Sequence, residues 1–179
     1  MSRISTGRIA LLVTLGTESV FFLTLLVAYA ALRDQVDWNV PHNLARLTIP
    51  LFNSGVLLAS ALVAWFSNRA IRHGQTDALR NGLLLTLLLG LTFVAGQAYE
   101  FQHAGLSIDD QAFGGVFFTL LGFHALHVLA GVFFLALLLV RAYLGDFSAG
   151  THEGVELGVW FWYYVTAVWG VLFVALYLV

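Results

Sequence analysis

Five long apolar runs, separated by short polar stretches, constrain this chain more than any other feature: Ile9 to Leu32, Leu44 to Phe66, Gly82 to Gln102, Ala112 to Val140 and Gly154 to Val179. About 20 residues at 1.5 Å rise each cross a hydrocarbon core, so each run is long enough to span one. Inside lipid the backbone must satisfy its own polar groups, which makes every run a helix. The expected fold is therefore all-α, a polytopic bundle of five transmembrane helices forming a single membrane domain over 1–179. Composition agrees: 60% of residues are hydrophobic and 10% charged, where soluble domains hold about a quarter charged. The first run is too long for a signal-peptide core and lacks a small-residue cleavage site, so it is expected to stay in the mature protein.

All eight basic residues are arginine. With alternating spans, Arg3, Arg8, Arg69, Arg72, Arg80 and Arg141 fall on one side, and Arg33 and Arg46 on the other. Glu100, Asp109 and Asp110 of the third connection join the second group. The positive-inside rule then predicts a cytoplasmic N-terminus and an outer C-terminus. The second connection, Ser67 to Asp77, reads as a short turn broken at Gly74, which makes runs two and three a hairpin. Pro50 sits near the outer start of run two, where a missing N–H is tolerated. Gly55 with Ala59, Ser60 with Ala64, and Gly122 with Ala125 are candidate helix contacts, because small side chains let backbones approach in lipid. No internal repeat is visible, which disfavours an inverted-repeat transporter. The chain has no cysteine; disulfides, thiolate metal sites and CxxCH haem attachment are excluded. A net charge of −2 gives no reason to expect a nucleic-acid partner.

Ionisable residues within a span are costly unless partnered, and so are the informative positions. Glu18 lies ten residues past Arg8, about 15 Å into the membrane. It reads either as a proton-active carboxyl or as a neutral acid hydrogen-bonded to another helix. His124 and His127 share one face of run four at i, i+3 spacing. Counting back from Arg141 puts His127 about 21 Å and His124 about 25 Å from that end. His127 matches Glu18 better in depth, so these two are predicted to pair. A bis-histidine haem needs ligands on two facing helices, and no second run carries a central histidine. Glu100 and His103 supply one Glu-x-x-His, at a helix end, whereas a dinuclear site wants two and further glutamates. His152 and Glu156 lie one turn apart at the opposite membrane face. No metal site is expected, and no catalytic residue. The aromatic segment Trp160 to Tyr164, with Trp65, Phe66 and Tyr143, reads as an interfacial belt plus packing. The residues alone leave an accessory subunit, a proton-linked carrier and a membrane enzyme open.

Taken in order, the segments resemble subunit III of the haem–copper oxidases, the cytochrome c oxidase family. Gly16-Thr-Glu18-Ser-Val-Phe-Phe22 looks like that family's Ser-Glu-hydrophobic-Met-Phe-Phe motif. Phe52-Asn53-Ser-Gly-Val-Leu-Leu58-Ala-Ser60 is similar to its Leu-Asn-Thr-x-x-Leu-Leu-x-Ser segment, and Gln97-Ala-Tyr-Glu100-Phe to its Gln-x-x-Glu-Tyr. Phe117-Phe118-Thr-Leu-Leu-Gly122-Phe-His124-Ala-Leu-His127-Val128 resembles Phe-Phe-x-x-Thr-Gly-Phe-His-Gly-x-His-Val. His152-Glu-Gly-Val-Glu156 with Trp160-Phe-Trp162 and Trp169 resembles the last helix, except that Tyr163 and Thr166 stand where the family has histidine and aspartate. The resemblance implies an accessory, non-redox subunit III of a respiratory oxygen reductase. Such a subunit stabilises the catalytic subunit I, supports proton uptake and turnover, and binds phospholipid. Haem and copper would lie in partner subunits, I and II. Related subunits of quinol oxidases or nitric oxide reductases are the alternative, and a proton-coupled carrier built on Glu18 is the alternative of another class. The fuller family form has seven helices and this chain begins at the third. That implies a neighbour supplying the missing pair, as in bacterial five-helix subunits, and a bacterial cytoplasmic (inner) membrane location.

Overall fold

A computed structural model describes residues 5–33, 48–103 and 111–178. Arg3, Arg46, Asp109 and Asp110 lie outside the described residues. Five helices carry the chain: α1 Thr6–Arg33, α2 Thr48–Arg72, α3 Thr76–His103, α4 Gln111–Leu144 and α5 Glu153–Phe173, the last continued by a π-helical turn, Val174–Leu178. All five are long and apolar enough to cross a membrane. Among the described residues the sole β feature is an isolated bridge between Ser148 and Thr151. Hydroxyls on lipid-facing surfaces turn back on their own helix: Ser19 donates to the Leu15 carbonyl at 2.7 Å and Thr92 to Leu88 at 2.9 Å. Such bonds let polar side chains face hydrocarbon without leaving a donor unsatisfied.

The polar ends are more helical than the apolar runs suggest. α2 continues past Phe66 to Arg72 and α3 begins at Thr76, so the hairpin turn is far tighter than the Ser67–Asp77 stretch. Gly74 ends α2 at φ +74, with Gly74 N–H donating to Ile71 O at 2.9 Å and Gln75 N–H to Ala70 O at 3.0 Å. This is a Schellman closure, and its left-handed position is where glycine is favoured. The charged residues of the turn thus lie on helix that projects beyond the apolar zone.

Helices α2 to α5 form a four-helix bundle, neighbour on neighbour, with α5 closing against α2. α1 stands outside it, against α4 and α5. Only Phe22 and Tyr29 of α1 are buried, while Val13, Val20, Leu23 and Val27 are exposed along its outer side. In lipid an exposed apolar side chain carries no penalty, so packing shape and polar bonds decide association.

Trp162 of α5 fills the centre of the bundle. It is fully buried, and its indole N–H donates to Ser60 Oγ of α2 at 2.9 Å. Its six-membered ring lies between Gly90 of α3 and Gly131 of α4, where a Cβ on either glycine would come within 2.8 Å of it. One side chain therefore touches all three other helices. Within the aromatic segment Trp162 is packing, while outside it Trp65, Phe66 and Tyr143 are exposed. The small-residue contacts also need correction. Ser60 and Ala64 are buried, but Gly55 and Ala59 face outward, and open space surrounds Gly122. The close approaches are instead at Gly82 against Ser67, Gly96 against Asn53 and Gly158 against Leu138.

Candidate functional site

The described residues gather their intramembrane charges into three clusters at three depths. In the middle, α1 presents Glu18 to α4, and His127 Nε2 lies 3.0 Å from Glu18 Oε2. His127 Nδ1 is 2.7 Å from the Phe123 carbonyl oxygen. A carbonyl accepts only, so Nδ1 carries a hydrogen and Nε2 is the position that shares a proton with Glu18. Two forms satisfy this geometry: a carboxylic acid donating to a neutral imidazole, or a carboxylate accepting from an imidazolium. Both are neutral overall, and they differ by a proton shift along one hydrogen bond. The pair borders an open cleft between α1 and α4, lined by Thr17, Glu18, Phe21, Phe123 and His127.

His124 shares the helix face but not the bond. It is buried, stacked on Trp169 at 5.4 Å between centroids, with Phe22 and Phe93 edge-on around it. Neither ring nitrogen has a hydrogen-bond partner among the described residues. A turn of α4 thus separates a paired histidine from one held by aromatic rings.

At the arginine-rich end the buried Glu156 of α5 joins three helices. Its two oxygens accept from Arg8 of α1 and Arg72 of α2, each at 2.7 Å. His152 Nε2 lies 3.4 Å away, one turn back on the approach to α5. Ser5 donates to Glu153, whose nearest oxygen is 3.7 Å from Arg8 Nε, too far for a hydrogen bond. Sequence reading used Arg8 and Arg72 for orientation and Arg8 as a depth anchor, and paired neither with Glu156. The available signal was depth, since both arginines and Glu156 lie at one membrane face.

Near the opposite end, Glu100 of α3 accepts from Gln97 Nε2 at 3.0 Å and from the Tyr177 hydroxyl at 2.7 Å. Tyr177 belongs to the π-helical turn, so this bond fixes the chain's last turn to α3. Sequence reading singled out Glu100 and Gln97 but not Tyr177. Tyr177→Phe is expected to lower stability by about 1 kcal/mol, the typical worth of an interhelical hydrogen bond in lipid. Thermal unfolding in detergent measures it, and an unchanged midpoint would show that Glu100 needs no partner from that turn. Asn53 of α2 is fully buried against Gly96 of α3. Thr166 donates to the Trp162 carbonyl on its own helix, and the Tyr163 hydroxyl has no partner among the described residues.

No group of three or more His, Asp or Glu side chains that could hold a metal ion occurs among the described residues. His103 turns to the Tyr99 carbonyl and stacks on the Tyr99 ring.

Against this geometry, a model of the family described as cytochrome c oxidase subunit III matches residues 4–179. Among curated proteins, the chain is similar to cytochrome c oxidase subunit 3 of Lumbricus terrestris, 35% identical over 98% of this chain and 71% of that protein. It is 40% identical to the protein of the same name from Danio rerio over 72% of this chain, and 36% identical to that from Spodoptera frugiperda over 72%. The matched region is 49% of the zebrafish protein and 88% of the Spodoptera frugiperda one, so the chain spans about half the length of some of these relatives. The match runs through all three charge clusters, and this multi-pass membrane chain belongs to the cytochrome c oxidase subunit III family.

Proposed function

We propose that the chain serves as the accessory, non-redox subunit III of a respiratory haem–copper oxygen reductase, stabilising the catalytic subunit I and sustaining its proton uptake and turnover. The observation that supports this most is where the buried acids are used. Glu18, Glu100 and Glu156 each bond to a side chain on another segment of the chain, as suits a scaffold. Haem and copper would be held by subunits I and II. The membrane would be a bacterial cytoplasmic one, with the arginine-rich end inside; Arg8, Arg72, Arg80 and Arg141 favour that by the positive-inside rule. A bound phospholipid fits the chain as well. An apolar cleft of about 420 Å³ opens between α1, α4 and α5, walled by Leu11, Phe134, Leu138, Leu157 and Phe161, with Arg141 on its lining to meet a headgroup.

The test is purification in mild detergent. Haem-containing partners should co-elute with the chain, and the complex should consume oxygen; transport by the chain alone in liposomes would overturn the reading. Two variants then separate the roles of Glu18. Glu18→Gln can still donate to His127 Nε2 but has no transferable proton, whereas Glu18→Leu loses the bond. Under a structural role, Glu18→Gln keeps assembly and proton uptake intact, and Glu18→Leu lowers stability by about 1 kcal/mol. Lost proton uptake in the glutamine variant, with assembly intact, would instead make Glu18 a proton carrier.

A further inference from the structure

Between α2 and α3 lies a group of buried polar atoms that the charge clusters do not absorb. Asn53 is fully buried, and neither its Oδ1 nor its Nδ2 has a partner among the described residues. Its amide rests directly on Gly96, so closely that any Cβ there would overlap it. The next residue, Gln97, is also buried. Its Nε2 is committed to the Glu100 carboxyl at 3.0 Å, which turns Oε1 the other way, and that oxygen too lacks a partner. Three unpartnered atoms, an amide donor and two carbonyl acceptors, thus lie on adjoining stretches of two packed helices. The Asn53 amide is seated on Gly96, the residue that precedes Gln97 on α3.

Helix geometry explains why the protein does not satisfy these atoms itself. The backbone groups around Gly96 and Asn53 are inside helices and already bonded along the axis. Nothing in hydrocarbon can supply the missing bonds from outside. A single water can accept from Asn53 Nδ2 and donate to Gln97 Oε1, with its second hydrogen free for another acceptor. Two to four bonds to otherwise unsatisfied groups is the usual setting of a buried water.

We infer that an ordered water molecule is bound between α2 and α3, held by the Asn53 amide and Gln97 Oε1 beside Gly96. It carries the Gln97–Glu100–Tyr177 chain across to α2, so that one hydrogen-bonded line joins α2, α3 and the final turn. A carbonyl or carboxylate ligand does not suit the site, because two of its three free atoms are acceptors.

Two measurements on the intact complex test this. In a structure at a resolution that shows waters, density should lie within hydrogen-bonding distance of both Asn53 and Gln97. An Asn53 amide bonded directly to Gln97 or to an α3 carbonyl, with no density between them, overturns the proposal. The second is a stability cycle. Asn53→Leu and Gln97→Met should each lower the unfolding midpoint by about 3 °C. The double variant should fall no further than the worse single one, since the water leaves with its first partner. Additive losses overturn the proposal, and where Asn53→Leu does not assemble, the density decides.

Discussion

Replacing Arg8 and Arg72 together with alanine is expected to destabilise the chain by about 3 to 5 kcal/mol, more than the sum of the two single changes. The reason is an asymmetry of exposure within the cluster. The Glu156 side chain is 8% exposed, whereas those of Arg8 and Arg72 are 41% and 51% exposed. With one guanidinium removed, the carboxylate keeps a charged donor at 2.7 Å on its other oxygen. A loss of about 1 to 2 kcal/mol is then reasonable, in line with a single charge-assisted bond. With both removed, the buried anion keeps among the described residues only His152, whose Nε2 lies 3.4 Å away and makes no direct hydrogen bond. The converse change is milder, because Glu156→Gln frees two arginines that reach water. Adding Glu156→Gln to the double arginine variant should therefore recover most of its loss. Thermal unfolding of the purified complex in detergent measures all five variants. Failure of the glutamine to rescue would mean that the arginines act through some other contact, and the reading of Glu156 as the centre of the cluster would fall.

The second large effect is expected at Trp162. Trp162→Ala should cost about 3 to 5 kcal/mol, the range for truncating a large core aromatic. Lipid is as apolar as the bundle interior, so little of this comes from transfer out of water. It comes from lost dispersion contacts with Gly90 and Gly131 and from the hole left among four helices. Trp162→Phe should be milder, near 1 to 2 kcal/mol, because Ser60 still donates to the Leu57 carbonyl at 2.6 Å once the indole N–H is gone. Gly131→Ala places a methyl where the indole ring now lies, and should cost about 1 to 3 kcal/mol by overpacking. Combined with Trp162→Phe, that penalty should shrink, because the smaller ring leaves room. Strict additivity of the two would show that the glycine does not serve the indole.

The contrast between these two sites shows where sequence reasoning stops in a membrane bundle. The spans were legible because hydrocarbon thickness and backbone hydrogen bonding leave a long apolar run few alternatives. The meeting of Glu18 and His127 was legible from depth, since counting residues from arginine anchors on two helices brought both to the same level. Depth says nothing about rotation. Glu156, Arg8 and Arg72 were at one face in the sequence, yet that they turn toward one another depends on how α1, α2 and α5 are rotated about their axes. Trp162 was hidden for a related reason. Composition makes any tryptophan near a membrane face a belt candidate, and only the matching glycines on α3 and α4 distinguish it. Those glycines were not singled out because apolar helices are rich in small residues; Gly55 faces outward while Gly90 and Gly131 receive a ring. His124 and His127 differ by one turn of α4, and which of them meets the carboxyl was decided by the placement of α1.

The way α1 is attached also bears on how the chain is made. Arg8 reaches Glu156, Glu18 reaches His127, and the Tyr29 hydroxyl donates to the Ala175 carbonyl at 2.9 Å. Every one of those partners is encoded in the last third of the sequence. A ribosome adding roughly 5 to 20 residues per second needs on the order of 10 to 30 s to travel from the end of α1 to the last turn. Until α4 follows, α1 has none of these docking partners, and it holds a carboxyl at mid-depth with no imidazole to meet. α2 and α3, joined by a tight turn, can close on each other meanwhile. Of these five helices α1 precedes the others yet completes its contacts only once α5 is made, so Glu18 has to be tolerated in the bilayer without its imidazole until α4 arrives.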